Sequence, residues 1–433
     1  MSPPSKQRLI IKQGTLIDGT GKPAVPNGAI VVEGNTISNV VPAGKPLEAA
    51  PSDVVIDARG KYIMPGLIDG HVHLSSHQGA LPGVRHTSTP EFATLWTSRI
   101  VGQILRAGVT GVSVPGGKWF VDATIREAIA GGLLEGPRVF CAGRALTPHG
   151  GIFDNSTPVN PTGTDDSVGV LCNTLDDFVR ETRRQCTRGV DMIKIADSYW
   201  GDTQTVSLDE LRAVVDEAHR RGARVTIHSR GSGSTRDAAL AGVDWIYHAD
   251  HATDEDLDAV AEAGIPIMPV FTQCQLITEQ EESKGFTRQM KARIKAQLDK
   301  NYEAIRKARA RGITLLAGTD SGNAAAFSYG RYHGNEAELL VRHIGLSPLE
   351  AIRACTSLNA RTIGLDGRVG VVAEGMLADI IVWDKDPVAD ISVLQHPEWL
   401  AAVIKDGRLI DRSREGFRSL EVEPPRANVS AQG

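Results

Sequence analysis

The chain has 433 residues, 41% of them hydrophobic and 23% charged, a composition that fits a soluble globular protein and excludes a disordered or fibrous one. Lys and Arg number 47 against 52 Asp and Glu, a formal charge of -5, so there is no net positive field to hold nucleic acid or an anionic membrane, and neither is expected as a partner. The length exceeds one typical single-core domain and predicts a large α/β domain with an appendage, or two domains.

The opening stretch MSPPSKQRLIIKQGTLIDGTGKP has no apolar h-region ahead of Leu9-Ile10-Ile11. No uninterrupted apolar run of about 18 residues follows anywhere, so a soluble, cytoplasmic protein is expected. Cys141, Cys172, Cys186, Cys274 and Cys355 are scattered without a C-x-x-C spacing, which argues for reduced thiols rather than a disulfide framework or zinc ribbon. From Arg8 to about Val55 the chain reads as short β-type runs punctuated by turns, RLIIKQG, TLIDGTGK, AIVVEGNTISNVV and then VVIDARGKYI, the texture of a small β-sandwich or meander.

Short apolar runs then alternate with amphipathic stretches, the pattern of repeated βα units around a parallel sheet. Strands are expected at Met64 to Leu74, Val109 to Val114, Val139 to Ala145, Met192 to Ile195, Val225 to His228, Trp245 to His248, Ile267 to Phe271 and Thr314 to Ala317. Between them EFATLWTSRIVGQILRAG, TLDDFVRETRRQCTRG, SLDELRAVVDEAHRRG and TDEDLDAVAEAG read as helices, several opening on Ser or Thr and closing on Gly. The charged run from Glu279 to Arg311 reads as the solvated face of a long helix after the seventh strand, its start a candidate lid. Eight such repeats predict a (β/α)8 TIM-like barrel, whose chemistry sits where strands end and loops begin. β-type texture returns after Leu365 in GRVGVVAEGMLADIIVWDKDP and AAVIKDGRLI, and a polar tail runs from about Arg412 to Gly433. The expected organisation is residues 1–62 as the N-terminal part of a β-sandwich, 63–364 as the barrel, and 365–433 as the C-terminal part of the sandwich with the tail.

The strongest local signal is Gly66-Leu67-Ile68-Asp69-Gly70-His71-Val72-His73-Leu74, because strand alternation sends His71 and His73 to the same face. Two adjacent imidazoles suit a divalent cation; packed core histidines are the alternative. Other polar residues fall at the ends of successive strands: Lys194 in Met192-Ile193-Lys194-Ile195, His228, His248, and Asp320 after Leu315-Leu316-Ala317-Gly318-Thr319. A lone buried lysine costs several kcal/mol or a strongly lowered pKa. A neutral lysine amine can add carbon dioxide to form a carbamate with two oxygen ligands; a salt bridge to Asp191 or Asp197 is the alternative. Four imidazoles, a carboxylate and a carbamate suffice for two divalent metal ions, zinc being the expected one, with an open position for water.

On TLIDGTG, PGLIDGHVHL and EGMLADIIVWDKDP, the chain resembles the amidohydrolase superfamily along nearly its whole length. That resemblance implies His71, His73, Lys194, His228, His248 and Asp320 as the metal ligands of a binuclear centre. IKI around Lys194, LLAGTDSG around Asp320 and GNEAELLVRHIGLSPLEAIRACTSLNARTIGL afterwards are similar to the prolidase-like branch, which includes Xaa-Pro dipeptidases and carboxypeptidases and resembles ochratoxin-type N-acyl amino acid hydrolases. The chain departs where that branch reads His-Ala-His-Gly and here His228-Ser229-Arg230-Gly231 stands, and where Glu-His becomes Tyr247-His248. The implied activity is hydrolysis of an amide-type C–N bond in a small molecule, a dipeptide or N-acyl amino acid. Carbamates, phenylureas, esters or organophosphates at the same centre, or a metal-free scaffold or binding homologue, are the competing readings; a homo-oligomer is expected by analogy alone.

In that chemistry Asp320 is expected to hold the water, accept its proton and pass it to the leaving nitrogen. His149, in Leu146-Thr147-Pro148-His149-Gly150-Gly151, is the candidate to stabilise the oxyanion. Arg230 is read either as binding a substrate carboxylate or as a solvated residue pairing with Asp237 or Asp250. Tyr247 is a second substrate-side candidate, although its place on the pleat opposite His248 favours core packing. His77, His86, His251, His333 and His343 are expected at the surface or behind the ligands, with His77 and His86 candidates for the entrance.

Overall fold

Strand Arg8–Leu16 puts Leu9 and Ile11 into one apolar cluster and Ile10 into another, so both its faces are covered. That strand lies in an eight-stranded sheet drawn from both ends of the chain, in the computed structural model that describes residues 8–76, 89–161, 163, 166–198, 201–282, 285–322 and 326–413. The order is Arg408–Leu409, Leu400–Lys405, Ile380–Trp383, Tyr62–Pro65, Arg8–Leu16, Val25–Glu33 and Thr36–Val41, with Val54–Asp57 also pairing with Arg8–Leu16. The late strand Ile380–Trp383 runs antiparallel to Tyr62–Pro65, Ile380 opposite Pro65 and Trp383 opposite Tyr62.

The central strands are all parallel. Six form one sheet in the order Gly169–Leu171, Ala145–Thr147, Met192–Ala196, Arg224–Ser229, Trp245–His248 and Ile267–Met268, and three form another in the order Leu67–Asp69, Val109–Val114 and Arg138–Cys141. Backbone bonds join the two sheets at both ends. Asp191 N–H donates to Cys141 O at 2.8 Å, and the extended segment from Thr314 carries the link from Ile267 (Leu316 N to Ile267 O, 2.9 Å) to the first strand (Gly70 N to Ala317 O, 3.0 Å). The architecture is TIM-barrel-like, α/β, beside the eight-stranded sheet; among the described residues the parallel strands fall into two sheets.

The expected strand Met64 to Leu74 is two elements broken at Gly66, where a Cβ would stand 2.2 Å from Thr110 Oγ1. There the chain leaves the mixed sheet for the parallel one. Likewise Val139 to Ala145 is split around Gly143, where a Cβ would stand 1.8 Å from Gln185 Oε1. Helices Leu175–Thr187, Leu208–Arg220 and Asp254–Ala263 each begin with a reciprocal capping box, at Thr174, Ser207 and Thr253. The long charged run from Glu279 to Arg311 holds one helix, Arg288–Ala310, which follows the helix Thr272–Glu279 and buries Ile294, Gln297, Leu298 and Asn301 on its inner face. Among the described residues no helix is long and apolar enough to cross a membrane.

Along the parallel strands alternate residues serve two cores. Ile193, Ile195, Val225, Ile227 and Ile246 pack toward the helices, whereas Met192, Trp245, Tyr247, Met268 and Leu316 form a separate cluster on the other face. Asn359, fully buried, ties the first and last strand positions together: its Nδ2 donates to Ile68 O at 2.7 Å and Ala317 O at 2.5 Å, and its Oδ1 accepts from Ala317 N at 3.2 Å. Asn359→Leu keeps the volume but takes their side-chain partner from Ile68 O and Ala317 N, each costing about 1–3 kcal/mol when buried unpaired. We expect this variant to unfold with a destabilisation of about 2–5 kcal/mol by the same account; a chemical-denaturation midpoint equal to that of the parent would remove the clasp from the fold's energetics.

Candidate metal centre

At the C-terminal ends of the parallel strands a cavity of about 140 Å³ is lined by His71, His73, Lys194, His228, Arg230, His248 and Asp320, with Ile152, Phe153 and Cys274 on its apolar side. Alternation delivers most of these groups. Lys194 shares the inward face with Met192, and His228 shares it with Thr226. His248 does not follow the pleat, since Tyr247 occupies the inward position of that strand. His248 reaches the centre because its backbone turns left-handed, φ 74°, followed by Ala249 at 62°; Asp320 does the same at φ 55°. Non-glycine residues held there cost about 1–3 kcal/mol each, a strain that clusters at functional sites.

His71, His73 and Asp320 converge so that one ligand atom from each lies within 4.8 Å of the others. His71 Nε2 and His73 Nε2 are 3.2 Å apart and stand 3.3 and 3.2 Å from Asp320 Oδ1. His73 donates Nδ1–H to Gly116 O at 2.7 Å, which leaves its Nε2 lone pair turned inward. This spacing matches corners around one small divalent cation, whose imidazole and carboxylate ligands lie about 2.0–2.2 Å from it. Among the described groups that line the cavity, the buried His71 Nδ1, Lys194 Nζ and His248 Nε2 have no hydrogen-bond partner. The lysine amine and the His248 nitrogen are of the kind a metal centre takes.

The electrostatics favour lone pairs over protons. Burial pushes the imidazoles of His71, His228 and His248 well below their ordinary value, with neighbouring positive charge adding to the effect for all three. Burial likewise drives Lys194 well below the usual lysine range; Asp320 opposes this and Arg230 reinforces it. For Asp320 burial acts upward, but His71, His73 and Arg230 outweigh it and hold the carboxyl at about 2. Lys194 pairs with neither carboxylate considered from the sequence. Asp191 takes Arg126 at 2.5 Å, and Asp197 accepts from Thr205, Val206 and Ser234. The amine instead lies 3.8 Å from the centroid of the Tyr247 ring.

Tyr247 also packs against His71, centroids 4.2 Å apart, and donates its hydroxyl to Gly70 O at 3.3 Å. It is thus a floor beneath the ligands, outside the cavity lining. Arg230 is buried rather than solvated and is paired with Asp250; Asp237 bonds to Arg236 and Gln204 instead. His149 does not line the cavity. Its side chain is 53% exposed, beside Asp154 at 3.4 Å and Ser156 at 3.2 Å, although Ile152 and Phe153 of the same turn reach the cavity. His251 meets Gln297 at 3.3 Å and His343 stacks on Tyr302; His77 and His86 lie outside the described residues.

Two groups behind the ligands went unread in the sequence. Asp69, two residues before His71, accepts from the backbone N–H of His71 at 3.2 Å and of Thr319 at 3.0 Å, from Thr319 Oγ1 at 2.6 Å and from His333 Nδ1 at 2.8 Å. It locks the strand of His71 and His73 to the turn carrying Asp320. Glu336 accepts from Phe271 N, Thr272 N and Thr272 Oγ1 and so fixes the start of the helix that brings Cys274 to the cavity. Period-two spacing could have found Asp69; nothing local points to Glu336.

The amidohydrolase family model matches residues 62–410. Ochratoxinase of Aspergillus niger is 27% identical over 429 residues, covering 92% of this chain and 86% of its own. Imidazolonepropionase of Symbiobacterium thermophilum is 25% identical, covering 93% and 96%. A crystal structure of a Xaa-Pro dipeptidase with methionine bound in its active site superposes with a TM-score of 0.82 at 28% identity, over 94% of this chain and all of that one.

Because Asp69 holds both ligand-bearing segments, Asp69→Ala should weaken divalent-cation binding by about 10–100-fold, the usual loss when a group behind a ligand is removed. Titration of the chelator-stripped protein with Zn2+ measures this. Unchanged affinity would mean the ligand geometry is held without this carboxylate.

Proposed function

The chain belongs to the amidohydrolase family and fits its prolidase-like branch, and from that membership we propose that it is a binuclear metal-dependent hydrolase of an amide-type C–N bond in a small molecule, a dipeptide or an N-acyl amino acid. The observation that carries the reading is the convergence of His71 Nε2, His73 Nε2 and Asp320 Oδ1 within 3.3 Å, around a cavity that also receives Lys194, His228 and His248. His71, His73 and Asp320 would hold one divalent ion. His228, His248 and a carbamate on Lys194 would hold the second, zinc being the ion that imidazole and carboxylate ligands suit. When bound, such ions polarise a carbonyl and lower the pKa of water toward neutrality.

The chain's own groups supply the rest. Asp320, ionised at neutral pH, orients the attacking water through one carboxylate oxygen, takes its proton as the C–O bond forms, and gives that proton to the departing nitrogen as the C–N bond breaks. Lys194, kept neutral by burial, offers the free amine that carbon dioxide requires. Ile152, Phe153 and Ile277 form an apolar wall that excludes water on the substrate side. Arg230, on the cavity lining, is the guanidinium that a substrate carboxylate would meet once it leaves His228 and His248. His149, exposed beside Asp154 and Ser156, would meet the substrate's oxyanion only by leaving them.

A panel of Xaa-Pro dipeptides and N-acyl amino acids, run beside phenylureas, carbamates and organophosphates, tests the substrate class. Turnover of at least one amide, abolished by chelation and reduced about 100- to 10,000-fold in Asp320→Asn, is the expected result; silence on every amide with turnover of a urea or phosphoester would reassign the substrate. For Lys194→Ala we expect metal content and activity to fall together and partial activity to return with added short carboxylates. Unchanged metal content would exclude the lysine as a ligand.

A further inference from the structure

The half of the centre formed by His228 and His248 already contains a cation from the chain itself. Arg230, 3% exposed, directs Nε to His228 Nε2 at 3.2 Å and Nη2 to His248 Nδ1 at 3.4 Å. A guanidinium carries only donors, so each contact engages an imidazole lone pair. At His228 the lone pair so engaged is that of Nε2, and at His248, which accepts on Nδ1, the ring proton sits on the other nitrogen, the one left to face a metal. For His248 that other nitrogen is Nε2, buried and without a partner. A divalent ion seated between these two histidines therefore meets a protonated nitrogen or a lone pair in use, and stands close to a fixed positive charge.

Arg230 is held in place. Nη1 pairs with Asp250 Oδ2, which also accepts from Gln297 Nε2 at 2.7 Å, and the Arg230 backbone N–H donates to Ser198 Oγ at 2.9 Å. The other half is arranged differently. His73 gives its Nδ1–H to a backbone carbonyl and turns its Nε2, with that of His71, toward Asp320.

We propose that Arg230 is the resident cation of the second metal position, so that the two positions fill unequally. One divalent ion binds tightly at His71, His73 and Asp320, and a second enters only when Arg230 is displaced from His228 and His248. Asp250 and Gln297 set how readily that happens. This rests on the metal-hydrolase reading and deepens it, because it assigns Arg230 control of metal stoichiometry.

The test uses the full chain, stripped by chelator and titrated with Mn2+, read by calorimetry and by the electron paramagnetic resonance spectrum, in which a spin-coupled pair differs from an isolated ion. The parent should bind one ion tightly and a second about 100-fold or more weakly, as expected for two like charges a few ångströms apart at a partly shielded site. Arg230→Met combined with Asp250→Asn, which leaves no unpaired buried charge, should narrow that gap about 10-fold or more by relieving the same repulsion and bring the coupled signal in at lower Mn2+. Two equally tight ions in the parent, or a gap unchanged in the folded double variant, would overturn the proposal. No bound ion in the parent would overturn the metal centre itself and this inference with it.

Discussion

Lone-pair atoms repel at van der Waals contact unless a positive charge sits among them. His71 Nε2, His73 Nε2 and Asp320 Oδ1 stand within 3.3 Å of one another, and since His73 spends its proton on Gly116, at most one ring proton, on His71, can be shared among the three. Holding that arrangement is the task of much of the surrounding chain. Asp69 binds the two segments that carry these atoms, His333 backs Asp69, and Asn359 ties Ile68 to Ala317 just below. The left-handed backbone of Asp320 is tolerated because these bonds over-determine the turn that carries it.

Much of the centre was legible in the linear sequence, for a simple reason. A strand's period of two converts spacing into direction, so His71 and His73, and the inward places of Lys194 and His228, followed from position alone. The same rule misplaced Tyr247, because His248 reaches the centre through a positive φ that side-chain alternation does not report. Groups acting from outside the strands were illegible. Gln297 lies in a charged helical run whose composition reads as solvated, yet its amide donates to Asp250. The glycine at 66 looks like one more member of a strand motif until Thr110 is seen where its Cβ would be.

The eight-stranded sheet and the parallel strands share polar joints as well as apolar ones. Arg138, at the start of a parallel strand, makes a two-pronged contact with Asp379 at 2.9 and 3.1 Å, and Asp379 also accepts from the Asp406 backbone N–H at 2.9 Å. Gly66 N–H donates to Asp379 O at 3.0 Å at the point where the chain crosses between sheets. One residue thus connects the first crossing through its backbone carbonyl, and the third parallel strand and the last hairpin through its carboxylate. The sheet built from the chain's two ends is thereby fixed relative to the first strand, which carries two of the converging ligands.

That sheet also sets a schedule for synthesis on the ribosome. Tyr62–Pro65 emerges early, soon after its neighbour Arg8–Leu16, but its other neighbour is Ile380–Trp383, more than 300 residues later. At about 5–20 residues per second, one edge of Tyr62–Pro65 waits roughly 15–60 s with its backbone groups unpaired. Throughout that interval the catalytic half of the polypeptide can assemble while its flanking sheet stays half-built.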